Sequence, residues 1–142
     1  MGKNKIINDT ESIIVDTVME FCNAVCSTLG PGGKNVIIVT GAAVPHVTKD
    51  GVTVSESIHY DSPAKEAIVS LIKESARKTA TTVGDGTTTS TLLVGSMVIG
   101  GITALKRVKS KKDFFDAFEM AIDDVTEYLD NTKMMIEKDS EL

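Results

Sequence analysis

Apolar residues recur at the helical interval in four separate stretches of this 142-residue chain, and glycine or proline bounds the first three. That pattern dictates amphipathic helices cut apart by turns, because neither residue type continues a regular helix comfortably. In the first stretch Ile14, Val18, Phe21 and Val25 form a stripe that Ile13 and Cys22 broaden, with Asn8 and Glu11 at capping-box spacing ahead of it. Gly30-Pro31-Gly32-Gly33 stops this helix near Thr28-Leu29. The β-branched run Val36 to Thr40 then predicts a strand. After a loop from Gly41 to Pro45, Val47-Thr48 can pair back on it, and Lys49-Asp50-Gly51 turns the chain into a further extended run, Val52-Thr53-Val54.

Ser62-Pro63 opens the second long helix, with Ala64, Ile68, Leu71, Ile72, Ser75 and Thr79 on its stripe and Gly84 at its end. The third begins after Gly86 and is apolar nearly all round, which predicts the buried central helix of the larger fold it belongs to, with an apolar face that an isolated chain would expose. Gly95, Gly100 and Gly101 lower its propensity by roughly 1 kcal/mol each relative to Ala and would permit close helix contact. Ser110 caps the fourth, which has Phe114, Phe118, Ile122, Val125 and Leu129 on one face and Asp116, Glu119, Asp123, Asp124 and Glu127 on the other. The expected fold class is mainly α, with four long helices and one β-hairpin.

Aromatic content of 4% with no Trp leaves the core to aliphatic packing, and a net charge of −5 argues against a dedicated nucleic-acid binder. No apolar run reaches the roughly 18 residues of a membrane span. The N-terminus lacks a signal-peptide apolar region, so the expected location is cytoplasmic and no membrane partner is expected. Cys22 and Cys26 share a helix face, but no further Cys accompanies them and the two His are distant, so reduced packing residues are expected rather than a zinc site. His46 and His59 have no evident catalytic partner in sequence and read as surface or loop residues. The basic cluster Lys106, Arg107, Lys109, Lys111 and Lys112 suits a helix C-terminus and a solvated loop.

One stretch suggests chemistry. Gly84-Asp85-Gly86 precedes five hydroxyl residues, Thr87 to Thr91, and then the apolar run Leu92-Leu93-Val94. Glycines admit close backbone approach, and a helix start directs free N–H groups and a positive dipole end at an anion. Asp85 is a hard oxygen ligand suited to Mg2+. The same residues also suit a plain capped helix, so the loop alone leaves both readings open. Gly30 to Asn35 is superficially similar to a P-loop. However, Asn35 stands where Ser or Thr is required, and a strand rather than a helix follows.

Taken together, Thr28 to Val36, Thr48 to Val54 and Val83 to Thr91 resemble, in order and separation, three signatures of the chaperonin family of bacterial and organellar type. The resemblance covers roughly Asp9 through Leu129. It implies the N-terminal part of an equatorial ATP-binding domain over residues 1–142, with ATP and Mg2+ as cofactors. Asp85 would hold the metal. Gly86, Thr87, Thr88 and Thr89 would contact the phosphates, with Thr28, Leu29, Gly30 and Pro31 closing from the other side. Lys49 would offer charge to the phosphates, and Asp50 would be catalytic, orienting the attacking water or the metal shell. The hairpin 36–54 and the segment Lys5-Ile6-Ile7 would pair with other chaperonin subunits in a ring.

Val108-Lys109-Ser110-Lys111 departs from the family's usual Gly- and Pro-containing turn, which bears on local packing rather than on binding. Family members run several times this length. The hinge with its catalytic carboxylate, the apical substrate-binding domain and the second half of the nucleotide pocket are therefore expected to be absent. Unfolded proteins would be partners only of the complete family member, and catalysis by this chain stays open. The alternative function is a short homologue that pairs with full-length subunits without ATPase activity of its own. An unrelated helical phosphate-binding enzyme is the weakest reading.

Overall fold

The α1 helix, Thr10–Cys26, buries Thr17, Val18, Phe21, Cys22 and Val25, which is the stripe that the 3.6-residue period marks. The computed structural model describes residues 10–39 and 44–134. The chain continues through β1 (Val36–Ile38), β2 (His46–Thr48), α2 (Gly51–Ser57), α3 (Pro63–Val83), α4 (Thr87–Leu105) and α5 (Lys111–Thr132). The two strands pair antiparallel, Ile37 opposite Val47, and form a two-stranded sheet. Asn8, the segment Lys5-Ile6-Ile7 and the loop residues 40–43 lie outside the described residues.

Among the described residues, those up to Ile102 form one compact unit and those from Thr103 onward a second. In the first, α1 packs on α2 and α3. Its core consists of Val18, Phe21, Cys22, Val25, Val54, Val69 and Ile72, with Val94, Val98 and Ile99 of α4 packed against it. In the second unit, α5 opens at Ser110, whose hydroxyl accepts the Asp113 N–H at 3.2 Å. Phe114 stacks on Phe118 at 6.1 Å between ring centroids and meets Phe115 edge-on at 5.4 Å.

The four long helices and the hairpin form as expected, and three details differ. Val52-Thr53-Val54 is helical rather than extended. The Asp50 side chain caps α2, and the Val54 N–H donates to the Asp50 carbonyl at 3.0 Å, closing the first turn. On α3 the buried stripe is Val69, Ile72, Lys73 and Ala76, whereas Leu71 is 70% exposed. Ser62 precedes Pro63 at the start of α3, as expected, but makes no side-chain capping bond. As expected for this part of the fold by itself, α4 buries only Thr91 and Gly95, while Leu92, Leu93 and Met97 are exposed.

Gly95 does provide the close helix contact, its α-carbon lying against the Cys22 thiol, whose Sγ donates to the Thr91 carbonyl at 3.6 Å. By length and composition α4 is nevertheless long enough and apolar enough to cross a membrane, contrary to the expectation from the apolar run alone. The added length comes from the hydroxyl residues Thr87–Thr91, which extend the helix beyond its apolar stretch.

Candidate functional site

The turn between α3 and α4 is three residues long, and glycine makes it possible. Gly84 ends α3 with φ 85° and donates its N–H to the Ala80 carbonyl at 2.9 Å, and Gly86 holds φ 83°. A side chain at either position would be strained. Asp85 projects between them, exposed, and its Oδ1 accepts the Gly86 N–H at 2.6 Å. The Ser90 N–H donates to the Gly86 carbonyl at 2.8 Å, so α4 begins immediately. The first amides of any such helix have no intrahelical acceptor, and its dipole end is positive.

Two other segments converge on this turn. The loop after α1 contributes Thr28, Leu29 and Gly30. The β2–α2 junction contributes Lys49, Asp50, Gly51 and Val52. With residues 84–89 they line one cavity of about 350 Å3. All the expected site residues except Pro31 are brought together there: Thr28, Leu29, Gly30, Lys49, Asp50, Asp85, Gly86, Thr87, Thr88 and Thr89. Pro31 lies outside the lining and is exposed.

Local bonding decides what each side chain can offer. The Thr28 hydroxyl donates back to the Val25 carbonyl at 2.7 Å, which leaves its oxygen able only to accept from a ligand. Asp50 Oδ2 accepts the Thr53 hydroxyl at 2.6 Å and the Thr53 N–H at 2.9 Å. The hydroxyl bond first, and the amide bond second, hold the Asp50 carboxyl below the usual carboxylate range. Asp50 is therefore an anion at neutral pH that also serves as the α2 cap. Lys49 is exposed beside it.

Three lining residues, Gly51, Val52 and Gly84, were not among the expected site residues. Gly51 and Val52 belong to the Lys49-Asp50-Gly51-Val52 motif, but reading it as a strand-to-strand turn hid them. Gly84 reads in sequence as part of the Gly84-Asp85-Gly86 loop and as the end of the second long helix, with no contact assigned to it. Sequence gives no signal for what anchors α2 to α3. Lys73 is buried, and its ammonium donates to the Ile58 carbonyl at 2.6 Å. Arg77 Nε donates to Glu56 Oε1 at 2.7 Å while its second nitrogen reaches Oε2. Glu66 also accepts the Tyr60 N–H at 2.8 Å and lies 3.3 Å from His59.

The donor set suits a small hard cation carried in with its ligand rather than a resident metal. Among the described residues no three His, Cys, Asp or Glu side chains gather into a metal site. Mg2+ commonly keeps several waters and takes one or two protein carboxylates plus substrate phosphates, and a single exposed Asp85 beside a helix start fits that habit. The cysteines are both free, Cys22 buried and Cys26 half-buried.

Comparison with known proteins identifies the family of the chain. The family model described as the TCP-1/cpn60 chaperonin family matches residues 21–142. The mitochondrial chaperonin CPN60-2 of Zea mays is 34% identical over 134 residues, covering 94% of this chain. Its counterpart from Cucurbita maxima is 33% identical over the same length. The chain spans 23% of the length of these curated relatives. Among solved structures, the chaperonin gp146 from the bacteriophage EL 2 (Pseudomonas aeruginosa), crystallised in the presence of ATP-BeFx, is similar with a TM-score of 0.79 and 32% identity. That match covers 94% of this chain and 23% of gp146. The mainly α, multihelical fold is thus of the chaperonin equatorial-domain type, and the chain belongs to the TCP-1/cpn60 chaperonin family.

Proposed function

We propose that residues 1–142 act as the N-terminal part of a chaperonin equatorial domain and bind Mg-ATP in the cavity between the three loops. The observation that carries this reading is the convergence itself. Three segments well separated in sequence meet around one polar cavity, with an exposed carboxylate and a helix start on its wall. Asp85 would hold Mg2+. The amides and hydroxyls of Gly86, Thr87, Thr88 and Thr89 would face the phosphates. Lys49 supplies positive charge, Leu29 and Gly30 close the opposite wall, and Asp50 orients a water or the metal's shell. The bound metal would neutralise phosphate charge, which is its main contribution to phosphoryl chemistry.

Isothermal titration of the folded chain with Mg-ATP tests this assignment. Asp85→Ala is expected to weaken binding at least about tenfold, the loss of a charge-assisted metal contact. Equal affinity for the two proteins would contradict the metal role.

A second reading, pairing with other chaperonin subunits, is favoured by the hairpin. Ile37 and Val47, opposite each other in the two short strands, are 65% and 56% exposed, and Val39 just beyond β1 is 67% exposed. Exposed edges of this kind invite strand addition. Co-expression with a full-length chaperonin followed by native mass spectrometry should give mixed rings, and unmixed rings would count against it. The proposed compartment is the cytoplasm, or an organelle matrix as for the mitochondrial relatives.

A further inference from the structure

Gly51 is the first residue of α2 and is buried, yet its backbone makes no demand for glycine, since the positive-φ glycines are Gly30, Gly84 and Gly86. The demand is for space. A β-carbon built at Gly51 would collide with the Thr88 hydroxyl. It would also lie 3.2 Å from the Thr88 β-carbon and 3.3 Å from the Thr28 hydroxyl. These three residues come one from each of the segments that line the cavity. Thr28 cannot easily give way, because it is buried and bonded to the Val25 carbonyl. Thr88 sits in the first turn of α4, where the adjacent Thr91 hydroxyl is tied to the Thr87 carbonyl at 3.0 Å and Ser90 accepts from Thr79 at 3.1 Å.

We propose that Gly51 is a positioning residue that sets the separation of the three walls of the site. Its missing side chain lets the α2 start, with Asp50 as cap, close on Thr88 and Thr28, and so fixes where the α4 amides face Lys49 and Asp50. The missing side chain of Gly51, rather than any group it offers the ligand, determines the width of the space into which a polyphosphate must fit. This inference rests on the Mg-ATP reading for its ligand, but the junction it describes does not.

A size-swap cycle on the full chain tests it, with Gly51→Ala, Thr88→Ala and the double variant. Each is read by Mg-ATP titration and, separately, by urea unfolding and amide hydrogen exchange at residues 50–54 and 86–91. Gly51→Ala alone is expected to weaken Mg-ATP binding by about tenfold or more, the scale of the strain from forcing an extra carbon into a filled space. It should also speed exchange in both segments. In the Thr88→Ala background, where the colliding hydroxyl is gone, Gly51→Ala should cost less than about threefold and restore protection, the non-additivity expected of neighbours in contact.

The same Gly51→Ala penalty in both backgrounds, or wild-type binding by Gly51→Ala, would overturn the proposal. A purely structural role would lower the urea midpoint while leaving the affinity of the folded protein unchanged, which also overturns it. If wild type itself binds no Mg-ATP, the functional reading fails, and the exchange and unfolding arms still decide whether Gly51 and Thr88 are coupled. If Gly51→Ala does not fold, recovery of folding in the double variant supports the collision and its absence contradicts it.

Discussion

Two residues show how burial and bonding set ionisation here. Burial first, and the neighbouring Cys26 second, push the Cys22 thiol up to about 11. At pH 8 only about one Cys22 in a thousand is then thiolate, and thiolate is the reactive form. Cys22 is accordingly expected to react with a disulfide reagent at pH 8 far more slowly than in urea, and more slowly than the less buried Cys26, which peptide mapping after timed labelling would resolve. Asp50 goes the other way. Its carboxyl is held below the usual range by the Thr53 hydroxyl and amide, so its contribution to stability is present above about pH 4 and is lost as pH falls through the folded-state value. As an N-cap it contributes about 1 kcal/mol. Asp50→Ala should lower the unfolding free energy by about that much at pH 7. The difference should shrink towards zero near pH 2, measured by urea titration at both pH values.

At the level of elements, the period of the sequence was sufficient for the long helices and insufficient for α2. Val52 and Val54 are β-branched and follow a Lys-Asp-Gly turn, which reads as a hairpin. Burial of Val54 in the core beside Phe21, together with the Asp50 cap, overrides that local preference. The three loops were readable as motifs, but their meeting was not. It depends on α2 being helical and on α3 holding it through Lys73 and the Glu56–Arg77 pair, neither of which has a sequence signature. The Arg77 hydrogen bond is also the leading reason that the Glu56 carboxyl is held low. Because Arg77 and Glu56 are 58% and 40% exposed, solvent screens the pair and it should contribute little to stability despite its forked geometry. Arg77→Ala should lower stability only slightly in dilute buffer and by less still in 1 M salt, read as the shift in urea midpoint.

For the molecule as a whole, the expectation of a buried central helix was the one that local pattern could not decide, because what covers a helix is a property of the assembled fold. Leu92, Leu93 and Met97 on α4, and Phe115, Ile122, Val125 and Leu129 on α5, are exposed apolar side chains. Surfaces of this kind promote association. Sedimentation velocity on the purified chain should show mass rising with concentration, and a clean monomer across the range would contradict this. The central claim is that three loops distant in sequence form one Mg-ATP site. Hydrogen exchange with and without Mg-ATP tests it most directly. The account predicts slower exchange in Leu29–Gly30, Asp50–Val52 and Gly86–Thr89 together, abolished by Asp85→Ala. Protection confined to one of these segments, or absent from all three at saturating Mg-ATP, would contradict it.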